Sequence, residues 1–354
     1  MSVENIDNYH KGRGAQLNSH NKFQAVQMVQ EHFEGLDEDL PTQHTTEFFH
    51  EYPKKIVNKP ESPDLSLMLS ANPYQGCEHG CIYCYARNAH EYWGYSAGID
   101  FETKIMVKKN APEVLQQTFE NRNWIPAPIM FSGNTDCYQP AERKYRLTRQ
   151  MLEVCLKYKN PVGIITKNAL ILRDTDILSE LAKLNLVHVH VSITTLKEEI
   201  RLAMEPRTVT GMGRMKVLEK LTEAGVPVGV MTAPIIPGLN SYEIPKLIEE
   251  AAKRGALSAG YTIVRLNGAI GLIFTDWIHK AFPDRAEKVL GLIKSCHGGK
   301  LSDSRFGTRM RGEGKVAEAI RQMHAIAKNK FMPDRTMPEY DTTIFQRPGQ
   351  LRLL

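Results

Sequence analysis

Short apolar runs recur six times through the middle of this 354-residue chain, and they limit what it can fold into. They cover residues 65–71, 129–131, 162–166, 187–193, 226–231 and 259–266. Between them lie stretches with a helical period. In residues 141–159, Leu147, Met151, Val154, Cys155 and Tyr158 fall on one face, so Cys155 reads as core packing. Residues 111–121 read as a helix with Pro112 in the first turn, where a missing N–H costs nothing. Residues 174–184 and 213–224 are also helical, the second stopped by Gly225. Asn240 and Glu243 open a further helix in the manner of a capping box, and Gly255 ends it. Parallel strands need such crossover helices, so alternation at roughly thirty-residue spacing predicts a parallel α/β sheet or barrel. The pattern alone leaves both open.

A hydrophobic content of 42% supports a sizeable core. The length fits about two domains, or one large barrel with extensions. Residues 1–65 precede the pattern as an irregular extension, with 31–50 as a flexible linker and Pro60 and Pro63 opposing helix. Residues 267–354 follow it, with two helices expected at 283–295 and 314–327 around a Gly/Arg loop from Arg305 to Gly314. The net charge of +5 resides there: residues 300–354 hold eleven Lys or Arg against six Asp or Glu, and the rest balances at 34 against 34. That excess suits a solvated surface, or an anionic partner such as DNA or RNA held by the Arg305–Arg311 loop. The first residues have neither the basic nor the apolar region of a signal peptide, and no apolar run approaches the ~18 residues of a membrane span. Cys137, Cys155 and Cys296 are scattered without a disulfide framework. A cytoplasmic, reducing location with no membrane partner is expected.

The first apolar run leads into residues 72–87, where Cys77, Cys81 and Cys84 fall within eight residues at a C-x3-C-x2-C spacing. Thiolates at that density bind metal, or occasionally form disulfides, which a chain without secretory features disfavours. Zinc prefers four protein ligands in a closed tetrahedron, which would recruit His79 or His90. An iron–sulfur cube takes one cysteine per iron, so three cysteines leave one iron open to an outside molecule. Other polar residues follow later runs. Thr135 and Asp136 stand where a carboxylate can pair with an ammonium, and Lys167 where a cation can neutralise a carboxylate. His188 and His190 alternate on one strand and share a face, read as buried and hydrogen-bonded.

The cysteine spacing, with Tyr83 just before the last Cys, resembles the signature of radical S-adenosylmethionine (radical SAM) enzymes. The resemblance implies a partial (β/α)6 TIM-type barrel over residues 66–266, between an N-terminal extension (1–65) and a C-terminal helical, basic region (267–354). It implies two cofactors, a [4Fe–4S] cluster on Cys77, Cys81 and Cys84 and S-adenosyl-L-methionine (SAM) on the open iron. In that family an electron cleaves SAM to start hydrogen abstraction, which implies a reducing partner such as flavodoxin or ferredoxin. Tyr83 then lies near the adenine, as does the 233–238 turn, and Thr135, Asp136, Lys167 and Ser192 contact SAM. The text around residues 132–142 and Glu205-Pro206 is similar to the branch containing spore photoproduct lyase, whose catalytic cysteine aligns with Gly133. Cys137, four residues later, and Tyr138 are then the candidate hydrogen donors. The Gly-Arg-Gly-Ala start, the cysteine loop, residues 98–105 and Arg-Met-Arg-Gly-Glu-Gly resemble a bacterial group labelled DNA-repair-photolyase-like. Nucleic acid is the substrate that kinship suggests. A protein or small molecule, or a non-catalytic zinc or iron–sulfur module, are the alternatives.

Overall fold

The computed structural model describes residues 10, 12–23, 45–60, 62–64 and 69–347. Ten strands are found there: β1 (Glu47–Glu51), β2 (Val57–Asn58), β3 (Leu69–Ala71), β4 (Tyr74–Gln75), β5 (Lys104–Lys108), β6 (Ile129–Phe131), β7 (Val162–Thr166), β8 (Val187–Ser192), β9 (Val228–Met231) and β10 (Ser258–Gly260). The helices are α1 (Asp100–Thr103), α2 (Ala111–Glu120), α3 (Ala141–Tyr145), α4 (Leu147–Tyr158), α5 (Thr175–Lys183), α6 (Glu198–Met204), α7 (Gly211–Glu223), α8 (Ile244–Lys253), α9 (Ala269–Ala281), α10 (Ala286–Cys296) and α11 (Gly314–Phe331).

The main sheet runs β10-β9-β8-β7-β6-β3-β2, parallel except for the short antiparallel β2. Its six parallel strands are the six apolar runs. Alternation assigns their two faces. Val162, Ile164, Val187, Val189, Val191, Val228 and Val230 are buried against Leu152, Leu178, Leu181, Leu218, Leu221, Leu247 and Ile248 of the helices, in one core. The opposite face carries Met130, Ile165, His188, His190 and Met231, which are only half-buried. The strands form a partial barrel, and its hollow side is the side water reaches.

Hydrogen bonds join the chain beside each edge of the sheet. Asp64, beyond β2, accepts Gly307 N at 2.7 Å and pairs with the Arg309 guanidinium. Met310 O accepts Ile263 N at 2.9 Å, just past β10. Across the other end, residues 335–347 form a strap. Arg335 donates to Ala252 O and Ala256 O at 2.8 and 3.0 Å, Asp341 N to Asn185 O at 3.1 Å, and Gln346 N to Tyr158 O at 3.1 Å. Tyr340 stacks on His188 with ring centroids 3.9 Å apart, and its hydroxyl lies 3.4 Å from Val162 O. These contacts lie at the strands' N-terminal ends, so the strap closes the barrel floor.

Several expectations need correction. Residues 47–51 are not linker: β1 pairs in parallel with β5 in a small sheet ordered β1-β5-β4. Edge pairing with another strand, which local composition does not display, orders them. The helix expected over 141–159 is broken at Arg146, whose φ is 54°. Glu142 explains the break, because its carboxylate accepts Thr148 N at 3.0 Å and so caps α4. The last strand stops at Gly260 rather than 266, and α6 and α9 were not anticipated. Residues 24–44 and 65–68, parts of the expected linker and first strand, lie outside the described residues. Leu178, fully buried between α5 and the sheet, tests the helix-side core. Leu178→Ala should lower the unfolding free energy by about 2–5 kcal/mol, read from chemical denaturation followed by circular dichroism.

Candidate active site

The cysteine loop leaves the C-terminal end of β3, on the mouth side of the barrel, where the chemistry of such barrels is housed. Two glycines shape it. Gly76 has φ 78°, and a Cβ there would meet Lys104 O at 2.7 Å; Gly80 has φ 67°, and a Cβ there would meet Glu102 Oε2 at 2.8 Å. Cys77, Cys81 and Cys84 are free thiols, the first two buried and the third half-buried. Burial pushes all three thiols up, and for Cys77 nearby Asp136, Cys81 and Cys84 add to that shift. Backbone N–H groups of His79 and Ala86 act against it at Cys77 and Cys84. Gln75 Nε2 and Glu78 Oε2, both buried beside the loop, have no partner among the described residues.

A buried ion pair holds the loop from behind. Arg87 Nη2 donates to Glu102 Oε1 at 2.5 Å, and neither side chain has exposed surface. Arg87 Nε also donates to Cys81 O at 3.0 Å, and Nη1 to Ala97 O and Gly98 O at 3.2 and 3.0 Å. Glu102 in turn accepts Gly14 N at 3.2 Å and Ala15 N at 2.7 Å. The N-terminal segment lies so close that a Cβ on Gly14 would sit 1.7 Å from Gly80 O. Three separated motifs, Gly-Arg-Gly-Ala, the cysteine loop and residues 98–105, thus form one knot.

A second buried pair holds the other side. Glu205 binds the Tyr83 hydroxyl and the Arg214 guanidinium, and it accepts Thr194 Oγ1 at 2.8 Å. Arg214 also donates to Ser192 O at 2.8 Å, tying the loop to the end of β8. Burial works against the Glu205 charge, but Arg214, Lys167 and the Tyr83 hydrogen bond outweigh it and bring the carboxyl to about 2. Lys167 lies over the Tyr83 ring, 5.9 Å from its centroid, and forms no ion pair among the described residues. Burial opposes its charge too, yet Cys81, Glu205 and Asp136 hold its pKa up.

The expected SAM contacts are gathered here, and three of them, Thr135, Asp136 and Ser192, have their polar groups already in use. Asp136 accepts Thr166 Oγ1, Lys167 N and Tyr138 N at 2.8, 2.8 and 2.9 Å, and lies 3.4 Å from His79 Nδ1. Thr135 donates to Tyr74 O at 2.8 Å, and Ser192 to Ala233 O at 3.2 Å. Asp136 therefore joins the ends of β6 and β7 to the cysteine loop.

Cys137 and Tyr138, the candidate hydrogen donors, follow the end of β6. Both have no exposed surface and lie in the helix-side core. Tyr138 donates to Asp174 Oδ2 at 3.1 Å, and Cys137 O accepts Thr148 Oγ1 at 2.6 Å. Gly133 has no room for a side chain unless Ser70 moves, since a Cβ there would meet Ser70 Cβ at 2.7 Å. The side chain that does reach this strand end is Tyr85, half-exposed, whose hydroxyl donates to Gly133 O at 2.7 Å. It was missed because an aromatic after the last Cys looks like ordinary packing.

The Gly/Arg loop also differs from expectation. Arg305 pairs with Asp303 at 2.8 Å and Glu313 at 2.6 Å, and Arg309 with Asp64, so these guanidinium groups are neutralised within the chain. For zinc, no three His, Cys, Asp or Glu among the described residues form a single-ion site. His79 is engaged on both ring nitrogens, by Asp136 at 3.4 Å and Asn168 at 3.1 Å. His90 is enclosed by Tyr95 and Phe101.

Residues 71–251 match the radical SAM superfamily. The chain belongs to the radical SAM superfamily. Superfamily members use a [4Fe–4S] cluster and SAM, which are therefore the cofactors of this chain. An uncharacterised Mycobacterium bovis protein is 32% identical over 250 residues, covering 70% of this chain and 74% of that one. An uncharacterised Methanocaldococcus jannaschii protein is 30% identical over 190 residues, covering 54% of this chain and 68% of that one. Among solved structures, spore photoproduct lyase complexed with dinucleoside spore photoproduct superposes with a TM-score of 0.58 at 14% identity, over 81% of this chain and 80% of that one. A mutant of that lyase with bound AdoMet and the same dinucleoside gives 0.57 at 15%, over 81% and 79%. At these identities the likeness is one of fold, the partial barrel. Among the described residues no helix is long and apolar enough to cross a membrane.

Two predictions follow from the knot and its counterpart. Glu102→Gln leaves Arg87 buried without its counter-charge and should cost about 3–5 kcal/mol, read as a lower melting temperature of cluster-free protein. The Glu205 carboxyl is held below its ordinary 4.5, so its contribution is complete above that pH and fades as pH falls through about 2. Acid unfolding between pH 5 and 2 should accordingly be shallower in Glu205→Gln than in the native protein.

Proposed function

We propose that Cys77, Cys81 and Cys84 hold the [4Fe–4S] cluster and that the chain is a radical SAM enzyme acting at the barrel mouth. The observation that carries this is the set of three unspent thiols on one loop, fixed from both sides by buried ion pairs. The orphaned Gln75 Nε2 and Glu78 Oε2 fit a site completed by a bound group. When bound, the cluster and SAM supply reductive SAM cleavage and the hydrogen abstraction that follows. The protein's part is placement. Lys167, which forms no ion pair among the described residues, would hold the SAM carboxylate, and Tyr83, clamped by Glu205, would present its ring to the adenine. Asp136, Thr135 and Ser192 keep the ends of β6, β7 and β8 in register around the ligand. The reducing partner is a flavodoxin- or ferredoxin-type protein.

Nucleic acid is the proposed substrate, and the aromatics support it more than the Gly/Arg loop does. Tyr85, Tyr92 and Trp93, on the helical turn leaving the cysteine loop, are 51%, 74% and 44% exposed, and exposed rings are platforms for unstacked bases. A lyase-type reaction is proposed from the fold likeness alone.

Anaerobic reconstitution tests the central reading. Cys81→Ala should lose 5′-deoxyadenosine formation under a strong reductant, and retained SAM cleavage would sink the assignment. Binding to single-stranded DNA should weaken steeply with added salt and fall several-fold in Tyr92→Ala. No binding even at low salt would transfer the substrate to the protein or small-molecule class.

A further inference from the structure

Beside the cysteine loop, the small sheet β1-β5-β4 has two unlike faces. Register sets Glu47, Phe49 and Glu51 of β1 opposite Lys104, Met106 and Lys108 of β5, and alternation sends these side chains to one face. Phe48 and His50 take the other face, against α3. The Tyr145 ring of α3 meets Phe48 edge-on with centroids 5.5 Å apart, and its hydroxyl lies 3.4 Å from His50 Nε2. Phe48 and Tyr145 rest on a small core of Tyr74, Ile105, Val107, Ala141 and Leu147. The carboxylates of β1 are turned away from this face.

Cations collect on it instead. Lys109 Nζ and Lys144 Nζ both stand over the Tyr145 ring, 5.1 and 5.2 Å from its centroid, and Lys144 Nζ is also 5.2 Å from that of Phe48. Arg143 and Arg146 flank them on the same short helix and are exposed. Asn110 donates to Pro53 O at 3.1 Å, which ties the turn bearing the exposed Lys54 and Lys55 to the residue after Lys109. None of these lysines and arginines forms an ion pair among the described residues. Glu142, next to Arg143, is buried and taken by Arg173, and the exposed Glu113, one turn beyond Lys109, makes no pair with it. Elsewhere the chain neutralises its cations, as at Arg305, Arg309, Lys246 and Lys253. Two ammonium groups on one ring repel each other. A face that keeps them without a counter-charge is relieved when an anion arrives.

Cations spread over several elements, with aromatic rings between them, suit a polyanion better than a single small anion, and a phosphodiester backbone best. The position suits it too. β4 runs directly into Cys77, and α3 follows the segment bearing Thr135 and Asp136, so the face borders the barrel mouth.

We propose that the face formed by β1 and α3 is a nucleic-acid backbone site outside the barrel, where Lys109, Lys144, Arg143 and Arg146 bind phosphates of a strand whose neighbouring segment reaches the mouth. This rests on the nucleic-acid reading of the substrate and adds a surface separate from Tyr92 and Trp93.

The probe is a fluorescein-labelled single-stranded DNA of mixed sequence, titrated with full-length cluster-free protein and followed by anisotropy at several salt concentrations. Lys109→Gln with Lys144→Gln should weaken binding about tenfold or more at low salt. It should also make the slope of log K against log salt shallower by about 1.4, two phosphate contacts at about 0.7 each. Arg143→Gln with Arg146→Gln should act likewise, and serves if the first pair disturbs the Tyr145 packing. Lys109→Arg with Lys144→Arg should stay within about threefold, since the charges remain. Lys288→Gln with Lys294→Gln makes the same charge change at exposed positions of α10 and should leave the slope unchanged. Equal loss in the α10 variant, an unchanged slope in both patch variants, or no binding by the native protein at low salt would each overturn the proposal. So would patch variants that lose affinity for an acidic flavodoxin- or ferredoxin-type protein but not for DNA. Tyr92→Ala separates the two readings. DNA binding that falls there but not in the patch variants faults this face and keeps the nucleic-acid reading, whereas the reverse faults the aromatic platform alone.

Discussion

Arg87 and Glu102 meet with no solvent on either side, and the cysteine loop depends on that contact. A buried charge pair is expensive to desolvate and is tolerated where hydrogen bonds use up its remaining valences. Here they do. The guanidinium spends its other donors on three carbonyls, one of them Cys81's, and the carboxylate spends its second oxygen on the N-terminal segment. A loop dense in glycine and cysteine has little apolar surface with which to fix its own shape. The pair provides that shape from outside, and Glu205 with Arg214 repeats the arrangement across the loop at Tyr83.

The same division runs through the barrel. One face of each strand is spent on packing helices, which gives stability. The other is half-buried and carries the uncommon residues, His190, Ser258 and Lys167. The mouth is polar and cationic beside the thiols, and the lumen below is neutral and closed by the C-terminal strap.

Much of this was legible from residue order. Six apolar runs separated by helical periods located six strands, and Gly255 marked the end of the helix that is α8. Asn240 and Glu243 form no capping box there: their side chains accept Ile236 N and Leu196 N instead. The cysteine spacing marked the loop. Cys155 is buried in the core, as its place in an apolar stripe implied. Where the reading failed, the deciding partner was far away in the chain. β1 is a strand because β5 pairs with it, some fifty residues later. The arginines of the Gly/Arg loop looked available until Asp64 and Glu313 met them.

Local chemistry written in adjacent residues was therefore fixed by the sequence itself: periodicity, caps, and three thiols within eight positions. These are short-range properties, because side-chain spacing along a helix, strand or tight loop is set by backbone geometry. Which charges are neutralised, which cysteine is exposed, and which face of a strand is wet were settled only by the tertiary structure. Those depend on groups brought together over long separations, and a charge or thiol has no fixed character until its neighbours and its solvent are known.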